Sequence, residues 1–300
     1  MENPAASILK KIISLVPKKA VRFSYLKLCK PKPLRALADG LIRKLTPIQI
    51  VLPEGTVFLD QNDPAVSGAL AMGAHDPYEI ECFRNALKTD MNVVDIGANI
   101  GYYTVVAAGR VGSQGKVFAY EPESHNFSLL EKNIEANKFT WTTPIKAGLS
   151  DKPGKRILFV AEEHTGIHSF ADNRGAGSGV EVETDTLDHS LESYGSPKID
   201  LIKMDIEGAE ILALQGMKQT FARNPGLILF IELYPQAIER FGHRAIELLD
   251  ILKESGFTLS IIDEDKKAIT PLPEAEFRSF IESFPATGEV AKNIYAVRSR

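Results

Sequence analysis

The chain has 300 residues, 44% of them hydrophobic and 25% charged, and a net charge of −4. This is the composition of an ordinary globular protein with a sizeable core, and no apolar run approaches the roughly 18 residues of a membrane-spanning helix. The two cysteines, Cys29 and Cys82, lack metal-ligand and redox-motif spacing, which excludes a disulfide framework and favours a reducing compartment. The N-terminus lacks the uninterrupted apolar stretch of a signal peptide, so we expect a cytoplasmic protein.

The charge is unevenly distributed along the chain. Residues 1–50 contain eleven Lys/Arg and two acidic residues, so this arm carries +9 and the remaining 250 residues carry −13. We therefore predict a basic extension over residues 1–72, with helices and a hairpin turning at Pro53-Glu54-Gly55, and a second unit over 73–300. Apolar residues of Ala5–Val16 share one face of a basic amphipathic helix. Such a helix can dock on an anionic membrane, an acidic partner, a second subunit or the chain's own body.

From Asn92 onward, short apolar runs alternate with helical patterns. The runs predict strands over residues 92–97, 116–121, 200–205, 227–232, 257–262 and 293–297. The helical patterns cover residues 101–110, 124–137, 209–215 and 243–254. Ser124 is the predicted N-cap of the second helix. This alternation predicts an α/β fold with a Rossmann-like, doubly wound and mainly parallel sheet.

Residues 151–199 interrupt the alternation. They contain two segments of alternating polarity, Arg156–Val160 and Val180–Thr184, on either side of a glycine-rich loop at 175–179. We predict a β-hairpin insertion with a mobile tip.

A glycine loop, Asp95-Ile96-Gly97-Ala98-Asn99-Ile100-Gly101, joins the first parallel strand to its helix. In doubly wound sheets, ligands bind at this end of the strands, and the two glycines would let the backbone approach a ligand closely. A dinucleotide fingerprint needs glycine at the positions of Asn99 and Tyr102, and no Gly-Lys-Ser/Thr follows. The spacing therefore excludes a nicotinamide or flavin fingerprint and a P-loop.

An acidic residue, Glu121, follows at the tip of the second strand, twenty residues beyond Gly101. A carboxylate there can accept hydrogen bonds from both hydroxyls of a ribose. Asp95 would then lie near the methionine ammonium of S-adenosylmethionine (SAM), while the loop amides face its carboxylate. The alternative is a tight strand-to-helix turn with a solvated Glu121; the loop and the acid together favour cofactor binding.

Three segments resemble the signatures of one family. The run Val93–Thr104 resembles the SAM-binding motif of the FkbM-type methyltransferases, and Glu183–Asp188 and Ile202–Glu210 resemble two later motifs in the same order. The resemblance covers about Gly73–Glu232. It implies a Rossmann-like class I methyltransferase domain and, typically, O-methylation of hydroxyls on sugars, polyketides or other small metabolites.

The motifs place the expected cofactor around the glycine loop. The predicted cofactor-binding residues are Asp95, Gly97, Ala98, Asn99, Gly101, Tyr103, Thr104, Glu121, Pro122, Ser150, Asp151 and Asp205. Tyr78 and Glu79 resemble the family segment that closes over the cofactor, although ordinary packing of Tyr78 is the alternative. Glu232 ends a strand beside the expected cleft and is the third predicted substrate-binding residue.

Three charged residues, Lys203, Asp205 and Glu207, alternate at the end of a predominantly buried strand. Unpaired buried charges are costly, so this pattern needs either a structural ion pair or a function. We predict that Asp205 and Glu207 face the transferred methyl group and orient the acceptor hydroxyl or accept its proton. Lys203 is the third predicted catalytic residue of this strand.

Histidine supplies one further candidate base. His168 lies in the insertion, four residues after His164, and we assign it a substrate-loop role with a solvated histidine as the alternative. Gly166 argues against a helix that would pair the two for a metal. No His/Asp/Glu cluster has clear ligand spacing, so no essential metal is expected.

Two alternatives to O-methylation remain. One is an N-methyltransferase of the same fold, and the other is a SAM-binding, catalytically silent module that docks through the basic arm. Nucleobase methylation is disfavoured because Asp205-Ile206-Glu207-Gly208 stands where Asp/Asn-Pro-Pro-aromatic is often found, and an acidic body argues against nucleic acid. The expected partner is a small-molecule acceptor, and an oligomer is compatible with the sequence.

Overall fold

The computed structural model describes residues 32–160, 168–169, 179–285 and 290–299. The first part of the chain forms α1 (Lys32–Leu45), β1 (Gln49–Val51), β2 (Thr56–Phe58), α2 (Val66–Ala71), α3 (Pro77–Ala86), β3 (Asn92–Ile96), α4 (Tyr102–Val111), β4 (Lys116–Tyr120), α5 (Ser124–Ala136) and β5 (Thr142–Ile145). The middle forms β6 (Gly148–Leu149), β7 (Gly154–Val160), β8 (His168–Ser169), β9 (Gly179–Asp185), α6 (Leu187–Glu192), β10 (Leu201–Met204), α7 (Glu210–Gln215) and α8 (Lys218–Arg223). The last part forms β11 (Ile228–Leu233), α9 (Pro235–Arg240), α10 (Ala245–Glu254), β12 (Phe257–Asp263), β13 (Ala268–Pro271), a 3₁₀ turn (Glu274–Glu276), α11 (Phe277–Glu282) and β14 (Lys292–Arg298).

The main sheet has eight strands in the order β13-β12-β14-β11-β10-β3-β4-β5. The five strands from β11 to β5 run parallel, and β14 is antiparallel to both of its neighbours. The predicted doubly wound α/β fold is therefore confirmed. The strand order reverses direction between β3 and β10, so a ligand crevice is expected beyond the carboxyl ends of these two strands.

Apolar residues on both faces of the sheet form two cores. Val94, Ile202 and Met204 belong to one core, whereas Val93 and Leu201 belong to the other. Side chains alternate between the faces of a strand. Lys203 therefore shares a face with Leu201, the face covered by α3 and α4.

The predicted insertion is a second sheet, with strand order β6-β9-β7-β8. Strands β7 and β9 pair antiparallel, with Leu158 opposite Val180, as the alternating segments predicted. His164 and residues 175–178 of the glycine-rich loop lie outside the described residues. Only the backbone of His168 is described, in β8.

The N-terminal hairpin is confirmed and is attached to the body by asparagine side chains. Strands β1 and β2 pair around the predicted turn. Asn133 on α5 accepts a hydrogen bond from the Phe58 amide at 2.6 Å and donates to the carbonyls of Phe58 and Ile100 at 3.1 and 2.7 Å. Asn137 accepts a hydrogen bond from the Thr56 amide and donates one to the Thr56 carbonyl, each at 2.7 Å. Two side chains one helical turn apart thus satisfy the backbone of an edge strand.

Helix α1 precedes this hairpin and has an exposed apolar side. Leu34, Leu37 and Leu41 are all exposed. The amphipathic segment Ala5–Val16 lies outside the described residues, so its docking stays a prediction. The division of the chain at residue 72 also stays a prediction. Among the described helices, none is both long and apolar enough to span a bilayer.

The N-cap prediction for α5 is wrong by one residue. Glu123 is the N-cap, and its carboxylate accepts a hydrogen bond from the Asn126 amide at 2.7 Å, while Ser124 is the first helical residue. The side chain of Glu123 reaches the same orphan helix donor that a serine hydroxyl would satisfy.

Replacing the buried Asn133 amide tests the attachment of the hairpin. Asn133→Asp keeps the shape but removes the donor to the carbonyls of Phe58 and Ile100, so we expect the free energy of unfolding to fall by about 1–3 kcal/mol. Urea denaturation measures the loss. Asn62→Asp, the same change at an exposed position, should stay within roughly 0.5 kcal/mol of the parent. An equal effect of the two changes would contradict the attachment.

Candidate active site

The glycine loop is shaped by close contacts within the protein. Gly97 has φ +78°, and a Cβ there would lie 2.0 Å from the carbonyl oxygen of Asp205. At Gly101, φ is +91° and a Cβ would lie 2.8 Å from Leu130 Cδ1. The glycines are therefore required by packing against the neighbouring turn and α5, a reason that the sequence did not reveal.

Glu121 holds this loop from the tip of β4. Its carboxylate accepts hydrogen bonds from the amides of Asn99 at 2.9 Å and Glu123 at 2.8 Å. Burial raises its pKa to about 7, although these two hydrogen bonds oppose the shift. Since an ionised carboxylate offers about four acceptor positions, two remain for a ligand.

An open cavity lies beside Glu121, with about 560 Å³ of empty space that includes solvent at its mouth. Its lining residues are Ile96, Gly97, Asn99, Tyr120, Glu121, Pro122, Ala147, Gly148, Leu149, Leu158, Asp205, Ile206 and Glu207. The structure thus brings five predicted cofactor residues, Gly97, Asn99, Glu121, Pro122 and Asp205, to one cavity. Glu207, predicted as catalytic, lines the same space.

Some predicted cofactor residues lie behind the cavity wall. Asp95 is buried and accepts a hydrogen bond from the Thr104 hydroxyl at 2.6 Å. Burial raises the pKa of Asp95 to about 6. Ala98 and Gly101 also lie outside the lining, so they shape the loop from behind.

Ser150 and Asp151 likewise lie outside the lining, directly after the three residues Ala147–Leu149 that form it. The Ser150 hydroxyl donates to Asp151 at 2.9 Å, and Asp151 pairs with Arg156 at 2.8 Å. These contacts connect the cavity wall to β7. The cofactor role of Ser150 and Asp151 stays a prediction.

Lys203 occupies a buried layer of charge beneath the cavity. Its ammonium lies 3.4 Å from Glu79 Oε1, 3.6 Å from Asp205 Oδ2 and 5.0 Å from the ring centre of Tyr103. The Tyr103 hydroxyl donates to Glu79 at 2.8 Å. Burial lowers the pKa of Lys203, but the surrounding carboxylates outweigh burial and raise it above its ordinary value.

Glu79 is predicted to bind substrate, yet it is buried and contacts Lys203 and Tyr103. Burial raises its pKa to about 7, and the nearby Lys203 opposes that shift. The amides of Tyr78 and Glu79 donate to the carboxylate of Glu264, which thereby caps α3. Tyr78 is partly buried and packs against the core that includes α3, and its substrate role stays a prediction.

A tight turn, Asp205–Gly208, connects β10 to α7. The strand ends at Met204, so the prediction that Asp205 belongs to the strand is wrong. The Glu210 carboxylate accepts hydrogen bonds from the amides of Ile206 and Gly208, each at 3.2 Å. Glu207 adopts φ +53°, in the left-handed region. The turn therefore redirects the Glu207 side chain in a way that strand alternation could not predict.

Glu232, near the end of β11, lies next to this turn. One carboxylate oxygen from each of Asp205, Glu207 and Glu232 lies within 4.8 Å of the others, an arrangement that can hold a metal ion. Burial and the two neighbouring carboxylates raise the pKa of Glu232 well above its ordinary value. The sequence pattern missed this cluster because Glu232 is distant from the other two in the chain and becomes a neighbour only through β10–β11 pairing.

The strand order, the glycine loop and the acid at the tip of β4 define a Rossmann-like class I methyltransferase fold. Residues 95–259, more than half of the chain, match the family described as the methyltransferase FkbM domain. The chain belongs to the FkbM methyltransferase family, which confirms the resemblance of its three motifs.

Several known proteins are similar over part of this chain. The methyltransferase sdnD of Sordaria araneosa is 29% identical in an alignment of 163 positions that covers 44% of this chain and 62% of that protein. The hexuronic acid methyltransferase AglP of Haloferax volcanii is 29% identical over 124 residues, 41% of this chain and 48% of that protein. The chain therefore spans less than two thirds of the length of these relatives. Methyltransferase FkbM of Methylobacillus flagellatus KT aligns in structure with 15% identity and a TM-score of 0.42, covering 89% of this chain and 60% of that one.

Removing the Lys203 ammonium tests the buried charge layer. Lys203→Met leaves carboxylates buried without their counter-charge, so we expect the free energy of unfolding to fall by about 3–5 kcal/mol. Lys155 pairs with Glu181 on the exposed surface, and Lys155→Met should cost no more than about 1 kcal/mol. Both values come from urea denaturation. A loss at Lys203 as small as that at Lys155 would show that this layer does not depend on the ammonium.

Proposed function

We propose that the protein is a SAM-dependent methyltransferase that transfers a methyl group to a hydroxyl oxygen of a small-molecule acceptor. The observation that carries the proposal is one continuous cavity. It has Glu121 on one side and Asp205 and Glu207 on the other, with the glycine loop between them. A ligand with a ribose at one end and a reactive group at the other fits such a cavity.

The cofactor side suits the nucleoside of SAM. The two acceptor positions left on Glu121 suit the two ribose hydroxyls. Pro122, Leu149 and Leu158 contribute apolar surface on which the adenine ring can lie. When bound, SAM supplies an activated methyl group on a positively charged sulfur.

The acceptor side suits an oxygen nucleophile. In the transfer, the acceptor oxygen forms a bond to the methyl carbon as the bond from carbon to sulfur breaks, and the hydroxyl proton passes to a carboxylate or to water. Asp205 and Glu207 can accept the hydroxyl hydrogen bond and fix the oxygen in line with that bond. Such positioning is worth about 7–11 kcal/mol in favourable cases.

The N-methyltransferase alternative is less well supported by this site. A cluster of three carboxylates attracts a protonated amine, but it also favours the protonated form, which has no lone pair for the methyl group. A hydroxyl keeps its lone pairs while it donates its hydrogen. The name of the hexuronic acid methyltransferase also supports an oxygen-rich acceptor.

Isothermal titration calorimetry with S-adenosylhomocysteine, the demethylated product of SAM, tests the ribose contact. At pH 8, Glu121→Gln should weaken binding by about 10- to 150-fold, because a hydrogen bond to a charged acceptor is worth about 1.5–3 kcal/mol. The exposed change Glu135→Gln is the matched control. Unchanged affinity in Glu121→Gln would assign the ribose to another residue.

The same titration should depend on pH through Glu121. Its pKa of about 7 in the free protein means that the carboxyl is largely protonated at pH 6, and ribose binding favours the ionised form. We therefore expect affinity to rise between pH 6 and 8. The rise should be smaller in Glu121→Gln, where this group cannot titrate. Parallel pH profiles for the two proteins would contradict the assignment.

Conservative changes in the turn test the acceptor side. Asp205→Asn and Glu207→Gln should leave the affinity for S-adenosylhomocysteine within a few fold but reduce methyl transfer at least 100-fold, since general acid–base groups typically contribute that much. Transfer of radiolabelled methyl from SAM to an acceptor found by screening sugars and other hydroxylated metabolites measures the rate. Normal turnover by both variants would remove them from the active site.

A further inference from the structure

We infer that Asp205, Glu207 and Glu232 form a binding site for one small divalent cation such as Mg²⁺ or Mn²⁺, beside the acceptor end of the cavity. The existence of this site does not depend on the proposed function. Its role in holding the acceptor oxygen does rest on the proposed methyl transfer.

The geometry of the three carboxylates is suitable for a single small ion. They come from the turn after β10 and from the end of the neighbouring strand β11, and one oxygen of each lies within 4.8 Å of the others. Ligand oxygens at about 2.1 Å from Mg²⁺ are roughly 3–4.2 Å apart in an octahedron. A slight contraction of the cluster therefore completes three coordination positions.

Lys203 independently indicates an oxygen ligand at this place. Its side chain is 2% exposed and its ammonium is ion-paired with Glu79 at 3.4 Å and Asp205 at 3.6 Å, but none of these contacts is a hydrogen bond, and no other hydrogen-bond partner lies within the described structure. A buried ammonium with unused donors is costly. A water bound to the cation, or the acceptor oxygen itself, would accept a hydrogen bond from Lys203.

The balance of charge also calls for a cation. The ammonium of Lys203 is the counter-charge to Glu79, Asp205, Glu232 and Asp95, and Glu207 adds a further carboxylate beside Glu232. Four carboxyl groups thus act on the one ammonium, and the fifth lies beside Glu232. SAM carries a net charge of only about +1 at neutral pH, since its ammonium and carboxylate cancel and its sulfonium remains. A divalent ion would offset the charge of those carboxyl groups that are ionised.

The ligand chemistry selects a hard ion. Among the described residues the cluster consists of three carboxylates without a nitrogen or sulfur donor, which favours Mg²⁺ or Mn²⁺ over zinc or copper. Three protein ligands leave about three octahedral positions for water and for the acceptor oxygen. An oxygen held there loses its proton more readily as its bond to the methyl carbon forms.

Manganese binding tests the site directly. The full chain is purified in EDTA, exchanged into buffer and titrated with Mn²⁺, and free Mn²⁺ is followed by electron paramagnetic resonance. We expect one Mn²⁺ per chain, at least tenfold weaker binding in Glu232→Gln, and unchanged binding in the matched surface variant Glu135→Gln. Mg²⁺ should compete with Mn²⁺ and should raise the thermal midpoint of the parent but not of Glu232→Gln.

Two outcomes would overturn the inference: no stoichiometric Mn²⁺ in the parent protein, or equal binding in Glu232→Gln. The first outcome would mean that protonation, and not a metal ion, neutralises the carboxyl groups. Should Glu232→Gln fail to fold, Asp205→Asn takes its place with the same expected loss. Calorimetry with S-adenosylhomocysteine in EDTA separates this test from the proposed function. Nucleoside binding without Mn²⁺ binding overturns the cation site alone, whereas Mn²⁺ binding without nucleoside binding overturns the proposed function alone.

Discussion

The ion pair between Lys203 and Glu79 connects the main sheet to the helix that covers it. Lys203 stands in the central strand β10, and Glu79 lies in the first turn of α3, so the pair fixes how α3 approaches the carboxyl ends of the strands. Tyr103 on α4 joins through its hydroxyl. A buried pair of this kind adds little net stability over an apolar one, but it tolerates few alternative arrangements. The pair matters to this fold because it fixes the position of α3 above Asp205.

The carboxylates around that pair have different roles, which depend on the groups that surround each of them. Glu210 and Glu264 accept hydrogen bonds from backbone amides and shape a turn and a helix end. Glu121 shapes the glycine loop but also borders the cavity. Glu232 faces other carboxylates across the cleft. A carboxylate enclosed by backbone amides is structural, whereas one that also borders the cavity remains accessible to a ligand.

Features encoded within one segment could be predicted from the sequence. The parallel sheet, the hairpin insertion and the position of Glu121 follow from hydrophobic runs, turn residues and a strand end. Features that need two distant segments could not be predicted in the same way. Glu232 joins Asp205 only through strand pairing, and Glu79 reaches Lys203 only because α3 folds over the sheet. Short elements such as β6 and β13 carry too few residues to show a period.

The contact of Gly97 with the carbonyl oxygen of Asp205 has a mechanical consequence. A Cβ at residue 97 would lie only 2.0 Å from that oxygen, so the backbones of the glycine loop and of the Asp205–Gly208 turn are in direct contact. Elements packed this closely transmit a displacement from one to the next. A shift of the glycine loop therefore also shifts the backbone from which Asp205 and Glu207 project, without any hinge between domains.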